Sequence, residues 1–119
     1  MFIRPPEQTL SDQSPDAVLP PLTSGELSSL AETFRLLGDP TRLRILMFCL
    51  GEPKPVGAIA EALELSQTLV SHHLRLLRAA RLVRGERASR QIFYEVADHH
   101  VSHVLLDMLN HINEDAASS

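Results

Sequence analysis

One cysteine stands in 119 residues, tryptophan is missing, and the aromatic complement is four phenylalanines and one tyrosine. A lone thiol excludes an intramolecular disulfide and any thiolate cluster within one chain. Cys49 lies in the apolar run Ile45-Leu46-Met47-Phe48-Cys49-Leu50. It therefore reads as a small buried hydrophobe, since reactive thiols need an accessible, electropositive setting. With aromatics at 4% and hydrophobic residues at 44%, the core has to be assembled mainly from Leu, Ile, Val and Ala. No apolar run nears the roughly 18 residues of a membrane span, and the N-terminus lacks the basic-then-apolar order of a secretory signal. The expected compartment is the cytoplasm, with no membrane partner. The length suits one compact domain and is short for two.

Positive charge is also in short supply, at 11 Lys and Arg against 15 Asp and Glu. That balance argues against a polyanionic partner until the charges are placed along the chain. Between Ser66 and Tyr94 stand Arg75, Arg78, Arg81, Arg84, Arg87 and Arg90, opposed only by Glu86. A local basic surface on an acidic protein is one reading; a solvated face without a ligand is the other.

Positions 1–22 hold five of the eight prolines with Ser, Asp and Gln and show no sustained period, as expected of a disordered N-terminal arm. The arm contains neither His nor Cys. A structured domain is expected over 23–115, followed by a short tail over 116–119. Ser24 is placed to cap a first helix, along which Leu27, Leu30, Ala31, Phe34 and Leu37 fall at helical spacing. Gly38 ends it, and Asp39-Pro40 opens a second helix reaching Leu50 with a carboxylate cap and a proline at the first helical position. Val56 to Leu63 predicts a third helix, Glu64-Leu65-Ser66 a turn, and Ser66 the cap of a fourth helix to about Arg81. Leu82–Arg87 and Gln91–Val96 have strand character, making a hairpin tipped by Arg87 to Arg90. Asp98 opens a last helix reaching about Asp115. The expected fold is mainly α (α+β): a winged helix-turn-helix of about five helices and a two-stranded β-hairpin wing.

A helix that enters a DNA major groove is apolar on one face and carries short polar or basic residues on the other. Val70, Leu74 and Leu77 cluster within about 60° at 100° per residue and define the buried side. Thr68, Ser71, His72, Arg75 and Ala79 lie on the opposite side. Hydroxyls and alanine permit close approach, Arg75 and His72 can donate to base edges or phosphates, and Gln67 at the helix start can reach a base. Arg87 and Arg90 at the hairpin tip can reach phosphates or a minor groove.

Gly38-Asp39-Pro40-Thr41-Arg42-Leu43-Arg44-Ile45-Leu46, then Leu65-Ser66-Gln67-Thr68-Leu69-Val70-Ser71-His72-His73-Leu74, then Leu82-Val83 and Phe93-Tyr94 resemble the ArsR/SmtB family of metal-sensing repressors. The resemblance covers about Ser24 to Glu114. It implies a winged-helix homodimer with the first and last helices at its interface, bound to a palindromic operator in double-stranded DNA. Two positions depart from the pattern. The residue before Leu82-Val83, often glycine in the family, is Arg81, and the hairpin tip has Ala88-Ser89 where glycine is usual.

The last helix carries Asp98, His100, His111 and Glu114, with His99 and His103 beside them. Carboxylate oxygen with imidazole nitrogen suits zinc and, to a lesser degree, cobalt or nickel. His100 and His111 share an azimuth but stand roughly 16 Å apart along the axis, so one helix cannot bring both to one ion. Two antiparallel copies can, with Asp98 and His100 of one subunit meeting His111 and Glu114 of the other. This spacing looks like the family's interfacial zinc site, which implies Zn2+, Co2+ or Ni2+ as an effector that lowers DNA affinity and so derepresses metal efflux or sequestration genes. Read without the family, such a helix is also plain solvated surface, and His99 and His103 read as surface or as neighbouring polar groups. The resemblance further implies a link from His111 to a backbone carbonyl near Arg81.

The family's cysteine-based site has no counterpart in Pro53-Lys54-Pro55-Val56-Gly57-Ala58, which excludes thiolate sensing there. An alternative is a winged-helix regulator that answers a non-metal cue or a protein partner. A zinc hydrolase fits poorly, because four protein ligands leave no open position for water and no His-Glu-x-x-His helix is present; no enzyme is expected.

Overall fold

The computed structural model describes residues 19–118. The chain divides into two compact units, one ending at Ala31 and the other running from Glu32, so the division falls inside the first helix. The arm expected over 1–22 lies outside the described residues up to position 18, and residues 19–23 carry no regular structure.

In the N-terminal unit, helix α1 (Ser24–Leu37) begins at a reciprocal cap. Thr23 Oγ1 accepts from the Glu26 backbone N–H at 3.0 Å, and Glu26 Oε1 accepts from the Thr23 N–H at 3.0 Å. The expected cap, Ser24, is instead the first helical residue. The Thr-x-x-Glu spacing carries the stronger signal, because it satisfies two orphan donors at once.

The second unit takes its frame from the junction after α1. Asp39 Oδ2 accepts from the Arg42 N–H at 2.9 Å and caps α2 (Pro40–Phe48), with proline at its first position. Arg42 Nε donates to the Leu36 carbonyl at 3.0 Å, closing the end of α1. One short motif therefore finishes one helix and starts the next. Helix α2 stops at Cys49, short of the expected Leu50, and Gly51 follows with φ +93.

After α2 come β1 (Lys54–Pro55), α3 (Val56–Leu63), α4 (Gln67–Ala79), β2 (Val83–Ala88), β3 (Gln91–Val96) and α5 (His99–Ser118). The two-stranded hairpin wing is present as β2–β3, and β1 adds a third strand to it that the sequence did not indicate: the sheet is antiparallel with order β1-β3-β2, and Lys54 pairs with Tyr94 and Pro55 with Phe93. Two residues give no alternation to read, and a proline belongs only at such an edge. Lys54 is held in place as its Nζ donates to the Phe48 carbonyl at 2.9 Å and sits 4.6 Å above the Phe48 ring. Helix α5 runs past the expected Asp115, so 116–118 are helical.

The core is aliphatic, as the composition requires. Ile45, Leu46 and Cys49 of α2, Ile59 of α3, Val70, Leu74 and Leu77 of α4, and Leu82 and Val83 are all buried, joined by Leu36 and Leu105. Beside this core, Gly85 faces Tyr94 across β2 and β3, and a Cβ there would lie 2.9 Å from Tyr94 Cε1 and 3.0 Å from Ile92 Cγ2.

Arg81 and Ser89 both have left-handed backbones, with φ 62 and φ 58. These are the two places where the family pattern favours glycine. Arg81 turns the chain out of α4 into β2, and Ser89 is the first residue of the two-residue hairpin turn. A side chain in this conformation costs about 1–2 kcal/mol, partly offset by the greater entropy glycine loses on folding. Arg81→Gly and Ser89→Gly are each expected to raise stability by about 0.5–1 kcal/mol, and Gly85→Ala to lower it by about 1–3 kcal/mol through overpacking. Urea unfolding midpoints check both signs.

Candidate nucleic-acid interface and metal-ligating helix

Helix α4 starts where Ser66 Oγ accepts from the Leu69 N–H at 3.1 Å. The turn before it is closed by Glu64 in a left-handed conformation, φ 59. Val70, Leu74 and Leu77 are buried as expected, which turns Gln67, Thr68, His72 and Arg75 to solvent and leaves Ser71 half-buried.

The wing then meets the start of this helix. Gln67 and Ser71 share one groove of about 450 Å³ with Arg87, Arg90 and Gln91 of the wing and with Val56 and Gly57 at the start of α3. Four of the seven expected DNA-contacting residues are thus brought to one concave surface, while Thr68, His72 and Arg75 lie outside its lining. Gln67 Nε2 lies 3.6 Å from where a side chain on Gly57 would begin, so the glycine leaves room for this amide. Gln91 was missed in the sequence, because an alternating strand reads as fold before it reads as surface.

The arginines are not equivalent. Arg84 pairs with Glu95 across the β2–β3 ladder, Nη2 to Oε2 at 2.9 Å, and is committed to the sheet. Arg75, Arg78, Arg81, Arg87 and Arg90 are exposed. Exposed charge in a high-dielectric surface adds little to folding and remains available to an anion.

Two groups on these elements are withdrawn from surface chemistry. Cys49 is buried, and desolvation, only partly countered by Lys54, pushes its thiol up to about 11, which leaves it protonated and unreactive at neutral pH. His73, next to the exposed His72, is only 8% exposed, and its Nδ1 has no hydrogen-bond partner among the described residues.

On α5, Asp98 Oδ1 accepts from the Val101 N–H at 3.1 Å and so serves as the helix cap. Its second carboxylate oxygen is left for other work. His100, His111 and Glu114 are exposed along the same helix. No three His, Cys, Asp or Glu side chains among the described residues of one chain gather closely enough to hold a metal ion. That agrees with the helical separation of His100 from His111. The donor set has the chemistry for a divalent cation, but the described residues of a single chain do not close it.

The same helix leaves Val104, Leu106, Met108, Leu109 and Ile112 exposed while burying Leu105. In α1, Leu27 and Leu30 of the first unit and Phe34 of the second are also exposed. So many large apolar groups on two helices exceed the scattered exposure usual for a monomer surface. No described helix is long and apolar enough to cross a membrane.

Residues 39–84, which span α2 to the start of β2, match the model of a bacterial regulatory protein family, arsR. The chain is 40% identical over 90 residues to an HTH-type transcriptional repressor, SmtB, of Mycobacterium tuberculosis, covering 76% of this chain and 67% of that one. It is 42% identical over 91 residues to the HTH-type transcriptional regulator NmtR of the same species, covering 76% of each. Its fold matches, with TM-score 0.76, 23% identity and coverage of 92% and 96%, a homodimeric winged helix-turn-helix DNA-binding domain from Mycobacterium bovis. The chain belongs to the ArsR family. As a member it is a DNA-binding transcriptional regulator and not an enzyme, and the α3-turn-α4 unit with the β2–β3 hairpin is its winged helix-turn-helix.

His73 gives this regulator an acid-sensitive core. Desolvation holds its imidazole below the ordinary 6.5, with Arg42 and His72 acting in the same direction and Asp39 against them. Neutral His73 is therefore the folded form. As pH falls through 6.5 the unfolded chain takes up a proton that the folded chain refuses, so stability declines until pH drops below the lowered native value. In metal-free buffer, the urea midpoint should fall between pH 7.5 and 5.5, and His73→Leu should flatten that fall; an unchanged pH slope in the variant would remove His73 as the cause.

Proposed function

We propose that this ArsR-family regulator is a metal-responsive repressor that binds operator DNA as a homodimer and releases it when a divalent cation, zinc by preference, bridges the two α5 helices. The observation that carries this reading is the juxtaposition on α5. Its exposed Val104, Met108 and Ile112 form a strip at about 260° to 340° from Leu105, and His100 and His111 flank that strip at about 220° and 240°. A strip of this kind is stabilised by a second copy, and an antiparallel partner brings Asp98 and His100 against His111 and Glu114. Two imidazoles and two carboxylates fit tetrahedral zinc better than the softer ions that thiolates select; cobalt and nickel are the next candidates.

Within this reading, α4 enters the major groove with Gln67, Thr68, Ser71, His72 and Arg75 toward the bases, and Arg87 and Arg90 meet the backbone beside it. The dimer axis sets the spacing of the two α4 helices, which suits half-sites about one helical turn apart. Bound at α5, a divalent cation would supply a cross-link between subunits. The residues of α5 then favour one relative orientation of the reading helices over another, and DNA and metal oppose each other through a reciprocal coupling. His111 needs its second ring nitrogen satisfied to coordinate well, and in this reading a backbone carbonyl near Arg81 would accept from it and link α5 to the end of α4.

His111→Ala is expected to keep operator affinity within a few-fold and to lose the zinc-dependent release, whereas wild type weakens on zinc by about 5–150-fold. Fluorescence anisotropy on operator DNA with and without zinc measures this, and equal affinity in both conditions for wild type would end the switching claim. Removing Arg87 and Arg90 together should weaken binding on all sequences and lower the slope of log affinity against log salt by about one per arginine removed, counted over both protomers. An unaltered slope would take those arginines off the phosphates.

A further inference from the structure

Three imidazoles crowd the first turns of α5. The ring centre of His99 lies 4.1 Å from that of His100 and 5.6 Å from that of His103, the second pair meeting edge to face at 74°. All three side chains are exposed. His99 and His103 are four residues apart, one turn, and so share a face. Two imidazoles that bind one tetrahedral ion through bonds of about 2.0–2.1 Å have ring centres roughly 5 Å apart. The His99–His103 spacing is already close to that value, and reorienting two exposed rings needs only side-chain rotation.

The direction of this pair separates it from the interfacial set. Measured from the buried Leu105 at 100° per residue, His99 and His103 fall at about 120° and 160°, across the helix from the Val104, Met108 and Ile112 strip. His100 and His111 border that strip. A partner seated on that strip leaves His99 and His103 outside the contact, although the exposed Leu106, at about 100°, lies beside His99.

We propose that each protomer holds a second transition-metal ion between His99 and His103, complete without the partner subunit and separate from the interfacial ligands. Two imidazoles with the remaining positions filled by water suit zinc, nickel or copper(II), and a site with so little imposed geometry ranks them by intrinsic affinity, copper above nickel. It is the same one-turn pairing of histidines that binds zinc on other helices. Nothing in it requires that the interfacial reading be correct.

Equilibrium dialysis of the full chain against Zn2+ tests the assignment, using wild type, His99→Ala/His103→Ala and His100→Ala/His111→Ala. The expected result is two zinc ions per wild-type protomer and one in each double variant, with zinc-driven operator release intact in His99→Ala/His103→Ala. The proposal is overturned if that variant binds as much zinc as wild type, or if His100→Ala/His111→Ala binds none. Zinc that survives in His100→Ala/His111→Ala and vanishes with His99 and His103 would keep this site and remove the interfacial one. Because the four side chains are exposed, circular dichroism of both variants should match wild type.

Discussion

Burial of one face of α4 is the constraint from which the rest follows. Val70, Leu74 and Leu77 are at most 1% exposed, and each such side chain contributes roughly 1.5–3 kcal/mol. No surface contact on the opposite face is worth as much, so the packing against α2, α3 and β2 decides which residues of the helix meet solvent. Thr68, His72 and Arg75 are turned outward by what lies behind them. His73 shows the cost of that arrangement, since the face is closed tightly enough to bury a histidine nitrogen without a partner among the described residues.

The wing is positioned by the same core. Leu82 and Val83 leave α4 through the left-handed Arg81 and are buried at once, which fixes where β2 begins. From there the ladder register carries Arg87 and Arg90 to the groove beside Gln67 and Ser71. Gly85 allows the Tyr94 ring to lie across β2, and Lys54-Pro55 pairs with the outer edge of β3. An exposed charged hairpin would otherwise be a mobile element; here its root is apolar and its tip is polar.

Helix α5 follows a different logic. It buries Leu105 on the unit that bears the wing and leaves most of its apolar residues in water. A helix so placed contributes little to the stability of its own chain and is available to another. His100 and His111 sit on the border of that surface, where a change in subunit contact is felt directly.

Local signals made much of this legible. Asp39-Pro40, the Ser66 cap, the period of α4 and the alternation of Gln91–Val96 are short-range patterns, and each marks its element to within a residue or two. The Thr23-x-x-Glu26 cap is equally local, although Ser24 next to it offers a competing hydroxyl. The His, Asp and Glu side chains on α5 and the eleven-residue separation of His100 from His111 are likewise read from residue identity and helical rise alone. Tertiary structure decided what no local pattern contains: that a two-residue strand joins the sheet, that Arg84 is spent on Glu95 while Arg87 and Arg90 share a groove with α4, that His73 is buried beside an exposed His72, and that the His99 and His103 rings converge. Each depends on atoms distant in sequence or on rotamers chosen by neighbours, and the free energy of such contacts is set by packing in three dimensions, which periodicity along one does not encode.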